Sequence, residues 1–482
     1  MSSIRHAIMF SSGARYSTQL IGLVSTMIIA RLLTPAEIGT FAVASAIVML
    51  MTEFRMLGAG GYLIREPELT QGKIRSAIGL TILISWGFGI AILLLALPVS
   101  KFYELPPLAT IFSILSISFF LAPYISIPTS LLARELNFKT QFKIRLIASL
   151  VGVASTTGFI LLGFSYYSLA MGQTLLAITN FALLVLYRPS TMVWQPSFNN
   201  IGRVASFGIY TSVANFLRKT SVTIPDMVIG KMGSTTEVGI FSRGLGFIQF
   251  VSQTLMSGIS PVALPYLARV RRQQSDIESA YTNASVLLGA LVVPVLGVAS
   301  LASLPAIRLF FGSQWDDAAP LASWLAIWAM LRCVHWFSNE LLIANGLERI
   351  LVVKEALSFG VLLPLIIVAY PYGLEWVAIA FVIAGLVEIA VSSVILSWSL
   401  NISAIRFFRK WLKNIWVTLA CVIVTWSISL VIPFDTKQAW LPIVVIALVL
   451  PWVWLASLAL TKHPLFEEVW SIIKRIVQSR VR

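Results

Sequence analysis

The chain alternates long apolar runs with short polar breaks. A helix crossing the ~30 Å hydrocarbon layer of a bilayer needs roughly 20 consecutive apolar residues. Windows of that kind fall near 7–30, 39–60, 76–98, 108–133, 144–163 and 166–186, and then near 204–229, 238–265, 281–303, 317–343, 352–370, 374–398, 414–432 and 439–460. They predict an all-α polytopic membrane protein with about fourteen transmembrane helices. Between the sixth and seventh windows lies the polar stretch RPSTMVWQPSFNNIGR, residues 188–203. Glycine and proline inside the windows are compatible with helix in lipid, where neighbouring helices satisfy freed backbone groups. The first run lacks the short core and small-residue cleavage site of a signal peptide and is kept as a span.

Composition sharpens this picture. Apolar residues make up 58% of the 482 and charged residues 11%, against about 25% charged in soluble domains. Three soluble domains of ordinary size are thereby excluded, and the mean hydropathy of +0.88 describes a chain whose solvent is mostly lipid. The net charge of +15 is a matter of topology. Even-numbered loops and both termini hold 24 Lys and Arg, whereas odd-numbered loops hold five: Arg31, Lys101, Lys231, Arg308 and Lys437. The positive-inside rule then puts both termini in the cytoplasm, and no nucleic-acid partner is required. Cys333 and Cys421 both fall in apolar stretches. They fit no metal spacing and no disulfide framework.

An internal repeat organises the spans. RLLTPAEIGTF at 31–41 and KMGSTTEVGIF at 231–241 share a basic first residue, Glu37 with Glu237, Gly39 with Gly239, and Phe41 with Phe241. Ser12/Ser212 and Ala14/Ala214 keep the same offset. Both turns occupy the first outside loop of a six-span block. Six is even, so the blocks share an orientation, as in parallel-repeat transporters. The expected organisation is an N-terminal six-helix lobe at 1–187 and a cytoplasmic linker at 188–203. A C-terminal six-helix lobe follows at 204–400, then an added helix pair at 401–461 and a basic cytoplasmic tail at 462–482. Two such lobes facing each other provide a cleft that opens alternately. The plainer account of the match is ordinary turn chemistry, with Glu preceding Gly in a polar hairpin.

Charges inside the spans carry the chemistry, because each costs several kcal/mol at the bilayer centre unless it faces protein or a wet cavity. Arg15, Arg55, Arg218, Lys219, Arg243 and Arg332 are basic; Glu53, Asp226, Glu340 and Glu388 are acidic. Arg55, Glu53 and Arg243 lie near span ends, where a long stem can snorkel. Arg15, Arg218, Lys219 and Arg332 are deeper and are the candidates for a cationic cavity. The alternative is that the arginines pair with Glu388, Asp226 or Glu340 as structural locks. Asp226, Glu340 and Glu388 are also the groups that would bind a coupling ion, H⁺ or Na⁺. Pro225 beside Asp226 is either a hinge or an inert kink. His335 makes no metal site alone, and Trp315, Trp411 and Trp440 fall at predicted interfaces as anchors. No glycine-rich phosphate loop, HExxH or paired carboxylates of a soluble domain occur. The chain is therefore expected to be no enzyme, to carry no metal or cofactor, and to draw uphill work from an ion or substrate gradient.

Four ordered segments resemble the bacterial polysaccharide-type flippases, in the superfamily that also holds multidrug and toxin extruders and the lipid II flippase. Leu33, Pro35, Glu37, Gly39 and Phe41 resemble the family's L-x-P-x-E-x-G-x-F turn. Phe54, Leu57, Gly58 and Gly60 resemble its F-x-x-L-G-x-G segment, with Arg65 where a glutamine is usual. Arg134 and Phe138 lie in its basic segment after span 4. DMVIGKMG at 226–233 resembles its D-x-x-x-I-G turn, with one residue fewer between Asp226 and Ile229, and the usual aromatic pair before Ser242 is reduced to Phe241. The resemblance implies alternating-access export of an undecaprenyl-pyrophosphate-linked oligosaccharide across the bacterial inner membrane, for capsule, exopolysaccharide or lipopolysaccharide O-antigen. It also implies that Arg15, Arg218 and Arg332 hold the pyrophosphate, and that a polymerase and chain-length or export proteins are partners. A drug extruder of the same fold would be expected to use an acidic cavity, against the basic in-span excess here. A glycan polymerase or ligase would carry large outside loops, which this chain lacks.

Overall fold

The computed structural model describes residues 2–55, 59–199, 202, 209–256, 260–435 and 438–471, and among them all regular structure is helical. In chain order the helices are α1 Ser2–Leu32, α2 Pro35–Arg55, α3 Ala59–Arg65, α4 Gln71–Tyr103, α5 Pro107–Arg134, α6 Phe138–Leu161, α7 Tyr167–Leu186, α8 Ile209–Met232 and α9 Thr235–Met256. They continue as α10 Ser260–Arg272, α11 Ile277–Leu301, α12 Ser303–Phe311, α13 Ala318–Val334, α14 Ser338–Ala344, α15 Glu348–Ala369, α16 Leu374–Leu400, α17 Ala404–Val431 and α18 Trp440–Leu460. Eleven membrane-length apolar helices occur among the described residues. The chain is a multi-pass membrane protein, as its hydropathy requires. α1, α8 and α9 lie outside those eleven, and α8 shows why: Arg218, Lys219, Asp226 and Lys231 interrupt its apolar residues.

Three expected spans are not single helices. The window at 39–60 ends in α2 with the short α3 beyond, and the window at 238–265 is divided between α9 and α10. The window at 317–343 breaks between α13 and α14 at His335, whose Nδ1 lies 2.8 Å from the Tyr281 hydroxyl and whose Nε2 lies 2.9 Å from Ser393 Oγ. Trp315 is no interfacial anchor. It is 0% exposed, and the Arg243 guanidinium sits 4.9 Å from its ring and 5.0 Å from that of Phe311. Trp411 is likewise buried, while Trp440 is 52% exposed.

The chain forms two compact units, Met1–Ser242 and Arg243–Arg482. In the first, α4 packs on α5, α5 and α6 on α7, α1 on α6 and α2 on α8. Arg134 at the end of α5 donates to the carbonyls of Leu63 and Pro67 at 2.7 and 3.1 Å, which fixes the chain leaving α3. In the second, α11 packs on α13 and α17, α16 on α13 and α15, and α17 on α18.

Repeated local geometry recurs along the chain. Thr34 and Glu37 form a reciprocal capping box at the start of α2, with the Thr34 N–H donating to Glu37 Oε2 at 2.8 Å and the Glu37 N–H to Thr34 Oγ1 at 3.3 Å. Ser234 and Glu237 do the same before α9, at 2.8 and 3.2 Å. Each box satisfies two orphan donors of its helix. A second match, at an offset of 210, lies in the turns after α5 and α14. Glu135, Leu136 and Asn137 donate to Leu131, Ala133 and Leu132; Asn345, Gly346 and Leu347 donate to Leu341, Ile343 and Leu342. The central residue is left-handed in both, Leu136 at φ 54° and Gly346 at φ 73°.

Candidate functional site

A cavity of about 730 Å³ lies in the first unit, walled by α2, α3, α5, α6 and α7 with Thr81 of α4. Its polar lining follows from what a hydroxyl does on a membrane helix, where its proton goes to a carbonyl three or four residues back. Ser45 donates to Ala42 at 3.0 Å, Thr52 to Val48 at 2.9 Å, Ser118 to Leu115 at 2.7 Å and Ser130 to Ser126 at 2.9 Å. The oxygen lone pairs remain as acceptors. Ser126 Oγ is buried without a hydrogen-bond partner among the described residues. Gln141 ties α6 to α5 through Nε2 and the Thr129 carbonyl at 2.9 Å. Gln173, well inside α7, is exposed and lines the same space with Asn180. Glu53 and Arg145 are the charged groups of the wall.

The deep cations fall in different surroundings. Lys219 on α8 interacts electrostatically with Glu53 of the cavity wall. Arg218, its neighbour, is exposed and donates to the neutral Asn215 Oδ1 at 3.1 Å. Asp226 Oδ1, farther along α8, is buried with no hydrogen-bond partner among the described residues. Arg15 lies on α1, and its side chain, like those of Arg55 and Arg65, is outside the described residues. In the second unit Arg332 Nε is 3.6 Å from Glu388 Oε2, with 22% and 23% of these side chains exposed, and its guanidinium lies 5.0 Å from the Trp328 ring. The Arg332 charge therefore has an acid opposite it. Glu340 is on α14, half-buried.

Two features escape sequence reasoning. Lys354, counted there with the loop charges, is 4% exposed inside α15 and pairs with Glu355 at 3.1 Å. Its Nζ also donates to Ser338 Oγ at 3.0 Å and Asn339 Oδ1 at 2.6 Å, while Asn339 Nδ2 donates to Glu355 Oε1 at 3.1 Å. A Lys-Glu tandem between ILVV and ALSF is the signal that could have found it. The hydroxyl- and amide-lined cavity had a weaker signal, the recurrence of Ser, Thr, Gln and Asn inside spans 2–6. Among the described residues no three His, Cys, Asp or Glu stand close enough to hold a metal ion. Both turn glutamates accept from their own cap, Glu37 from Thr34 and Glu237 from Ser234, and Glu37 also accepts from the distant Ser165 hydroxyl before α7.

Residues 28–320 match the family described as polysaccharide biosynthesis protein. The chain belongs to that family. The teichuronic acid biosynthesis protein TuaB of Bacillus subtilis is 21% identical over 392 residues, 80% of each chain. The lipopolysaccharide biosynthesis protein WzxC of Escherichia coli is 21% identical over 442 residues, 87% of this chain and 88% of its own. Among solved structures, the lipid II flippase MurJ in an inward closed conformation superposes with a TM-score of 0.73 at 16% identity, covering 94% of this chain and 98% of that one. The chain therefore shares its fold with MurJ and, at a TM-score of 0.65, with an inward-facing multidrug transporter of the MOP superfamily.

Proposed function

We propose that the protein is an alternating-access flippase. It moves an undecaprenyl-pyrophosphate-linked oligosaccharide from the cytoplasmic to the periplasmic leaflet of a bacterial inner membrane for surface polysaccharide synthesis. The observation that carries this reading is Arg218, exposed on a helix of a membrane chain and hydrogen-bonded to a neutral amide. A pyrophosphate is the kind of ligand that makes such a cation worthwhile, because the planar guanidinium fork suits phosphate oxygens. A relative's name supports it: the succinoglycan biosynthesis transport protein ExoT of Rhizobium meliloti is 25% identical over 309 residues, 63% of this chain and 62% of its own. In this reading fourteen spans form two parallel six-helix lobes with an added helix pair, and both termini are cytoplasmic. Arg15, Arg218 and Lys219 contact the headgroup, and Arg332 stays paired with Glu388 as a structural lock. Asp226, Glu340 and Glu388 are the groups that would take a coupling H⁺ or Na⁺. A polymerase and chain-length or export proteins receive the product.

The test follows a labelled lipid-linked oligosaccharide across reconstituted vesicles. Each charge-assisted hydrogen bond is worth about 1.5–3 kcal/mol, so Arg218→Ala should weaken capture about ten- to a hundredfold at normal membrane abundance. Arg218→Lys should retain part of the function. Unchanged flipping in Arg218→Ala would remove this residue from headgroup binding.

A further inference from the structure

We propose that the cavity of the first unit is a sugar chamber, which receives the glycan of the lipid-linked substrate while the cations of α8 hold its pyrophosphate. The proposal rests on the flippase reading above and adds where the sugars go.

A sugar presents neutral hydroxyls that each both donate and accept, so its site needs acceptors and donors in mixture and little net charge. The cavity wall carries such groups among apolar ones, Met49, Leu115 and Leu176 included. Hydroxyl oxygens such as Ser45, Thr52 and Ser118 have committed their protons to their own helices and offer acceptors. The amides of Gln173 and Asn180 offer both kinds of group. Its two charged groups, Glu53 and Arg145, are opposite in sign, which suits a neutral polyol better than an anion. The volume of about 730 Å³ lies within the range of about 300–1,000 Å³ typical of small-molecule sites.

The second unit supplies an internal control. At the offset of 210 that relates the two left-handed turns, Thr129, Ser130, Ile144 and Arg145 of the cavity wall correspond to Asn339, Glu340, Lys354 and Glu355. There Lys354, Asn339 and Glu355 close a ring of hydrogen bonds on one another, and the two charged side chains are only 4% and 5% exposed. One frame thus has two outcomes. In the second unit Lys354, Asn339 and Glu355 satisfy each other; in the first, with Ile144 in place of the lysine, Thr129, Ser130 and Arg145 line open space. Open space lined in part by polar groups is filled by water or by a ligand. In a chain that handles lipid-linked glycans, the sugar is the ligand of matching chemistry.

The deciding measurement uses the full-length protein in nanodiscs and two probes: the lipid-linked oligosaccharide purified from producing cells, and undecaprenyl pyrophosphate without sugar. The variants are the double substitution Gln173→Leu with Asn180→Leu, which removes two amides at similar volume, and Ala177→Trp, which fills the cavity. Losing two hydrogen-bonding side chains should weaken binding of the glycan-bearing lipid by about tenfold or more and leave the sugar-free lipid unaffected. Glycan-lipid affinity unchanged in both variants would mean that the cavity holds water only, and equal losses for both lipids would place the sugar elsewhere; either result overturns the chamber. If Ala177→Trp fails to accumulate, the double variant decides. Native protein that binds neither lipid would sink the flippase reading itself, a pattern distinct from the other two.

Discussion

Gly39 and Gly239 stand in a reciprocal contact. A Cβ on Gly39 would collide with the Thr235 carbonyl and crowd the Gly239 nitrogen; a Cβ on Gly239 would collide with the Pro35 carbonyl. Pro35 and Thr235 open α2 and α9, so each glycine meets the first residue of the other's helix at the same offset of 200. The two repeat turns therefore cross backbone to backbone, and only glycine leaves room. Alanine at either position forces the helix starts apart, with a cost of about 1–3 kcal/mol for overpacking. A lowered melting midpoint of the purified Gly39→Ala or Gly239→Ala protein is expected, and an unchanged midpoint would contradict the contact. Cysteines placed one in each turn should crosslink under oxidation and halt export until reduced, if these turns separate during the cycle.

Arg332 and Glu388 form an ion pair with limited exposure. Removing one partner of such a pair strands the other charge, at a cost of about 3–5 kcal/mol for a fully buried pair and less at this exposure. Arg332→Ala should therefore lower membrane abundance, and Glu388→Ala in the same chain should restore it. Immunoblots of membranes from the single and double variants check this. Normal abundance of Arg332→Ala with weakened lipid capture would instead make Arg332 a ligand-binding residue.

The Lys354–Glu355 ring is the more deeply buried case. Lys354→Met removes a cation that Glu355 and Asn339 both use, and a loss of about 3–5 kcal/mol is expected. Combining it with Glu355→Gln should recover much of that loss. The readout is thermal stability of the detergent-purified protein, with the double variant more stable than Lys354→Met alone.

Topology can be read by labelling. Lys101, Lys139 and Lys410 are all exposed. Cysteine at 101 should react with an impermeant thiol reagent in intact cells, and cysteine at 139 or 410 should react only after lysis. Outside labelling at 139 would reverse the proposed orientation.

The chain after α18 is docked by a histidine. His463 Nδ1 accepts from the Leu465 N–H at 3.1 Å, so Nε2 carries the proton and donates to Asn414 Oδ1 at 3.0 Å. Burial, with Lys413 nearby, pulls the imidazole from 6.5 down to about 4. The folded state thus keeps His463 neutral where the unfolded chain would already be protonated. Stability is full above about pH 6.5, falls as pH drops from there toward 4, and changes no further from this group below that. Thermal midpoints of the native protein should slope in this window. His463→Gln should flatten this contribution; a slope identical to the native one would assign the effect to another group.

The all-α, multi-spanning class of the fold and the paired turns were legible in the amino-acid order, because each is a local property. Hydropathy over twenty residues decides whether a segment leaves water. Thr34 with Glu37 and Ser234 with Glu237 make their capping boxes within four residues. What the order of residues could not decide is which faces meet. Ser118 and Ser126 read alike whether they turn to lipid, to a neighbouring helix or to open space. Arg332 could be weighed against Glu388 as a lock, but only packing brings them to 3.6 Å. Lys354 carries the same charge as any loop lysine, and Trp315 the same ring as an interfacial anchor, until the surrounding helices bury them. Burial and pairing arise from contacts between segments distant in sequence, and those belong to the tertiary structure alone.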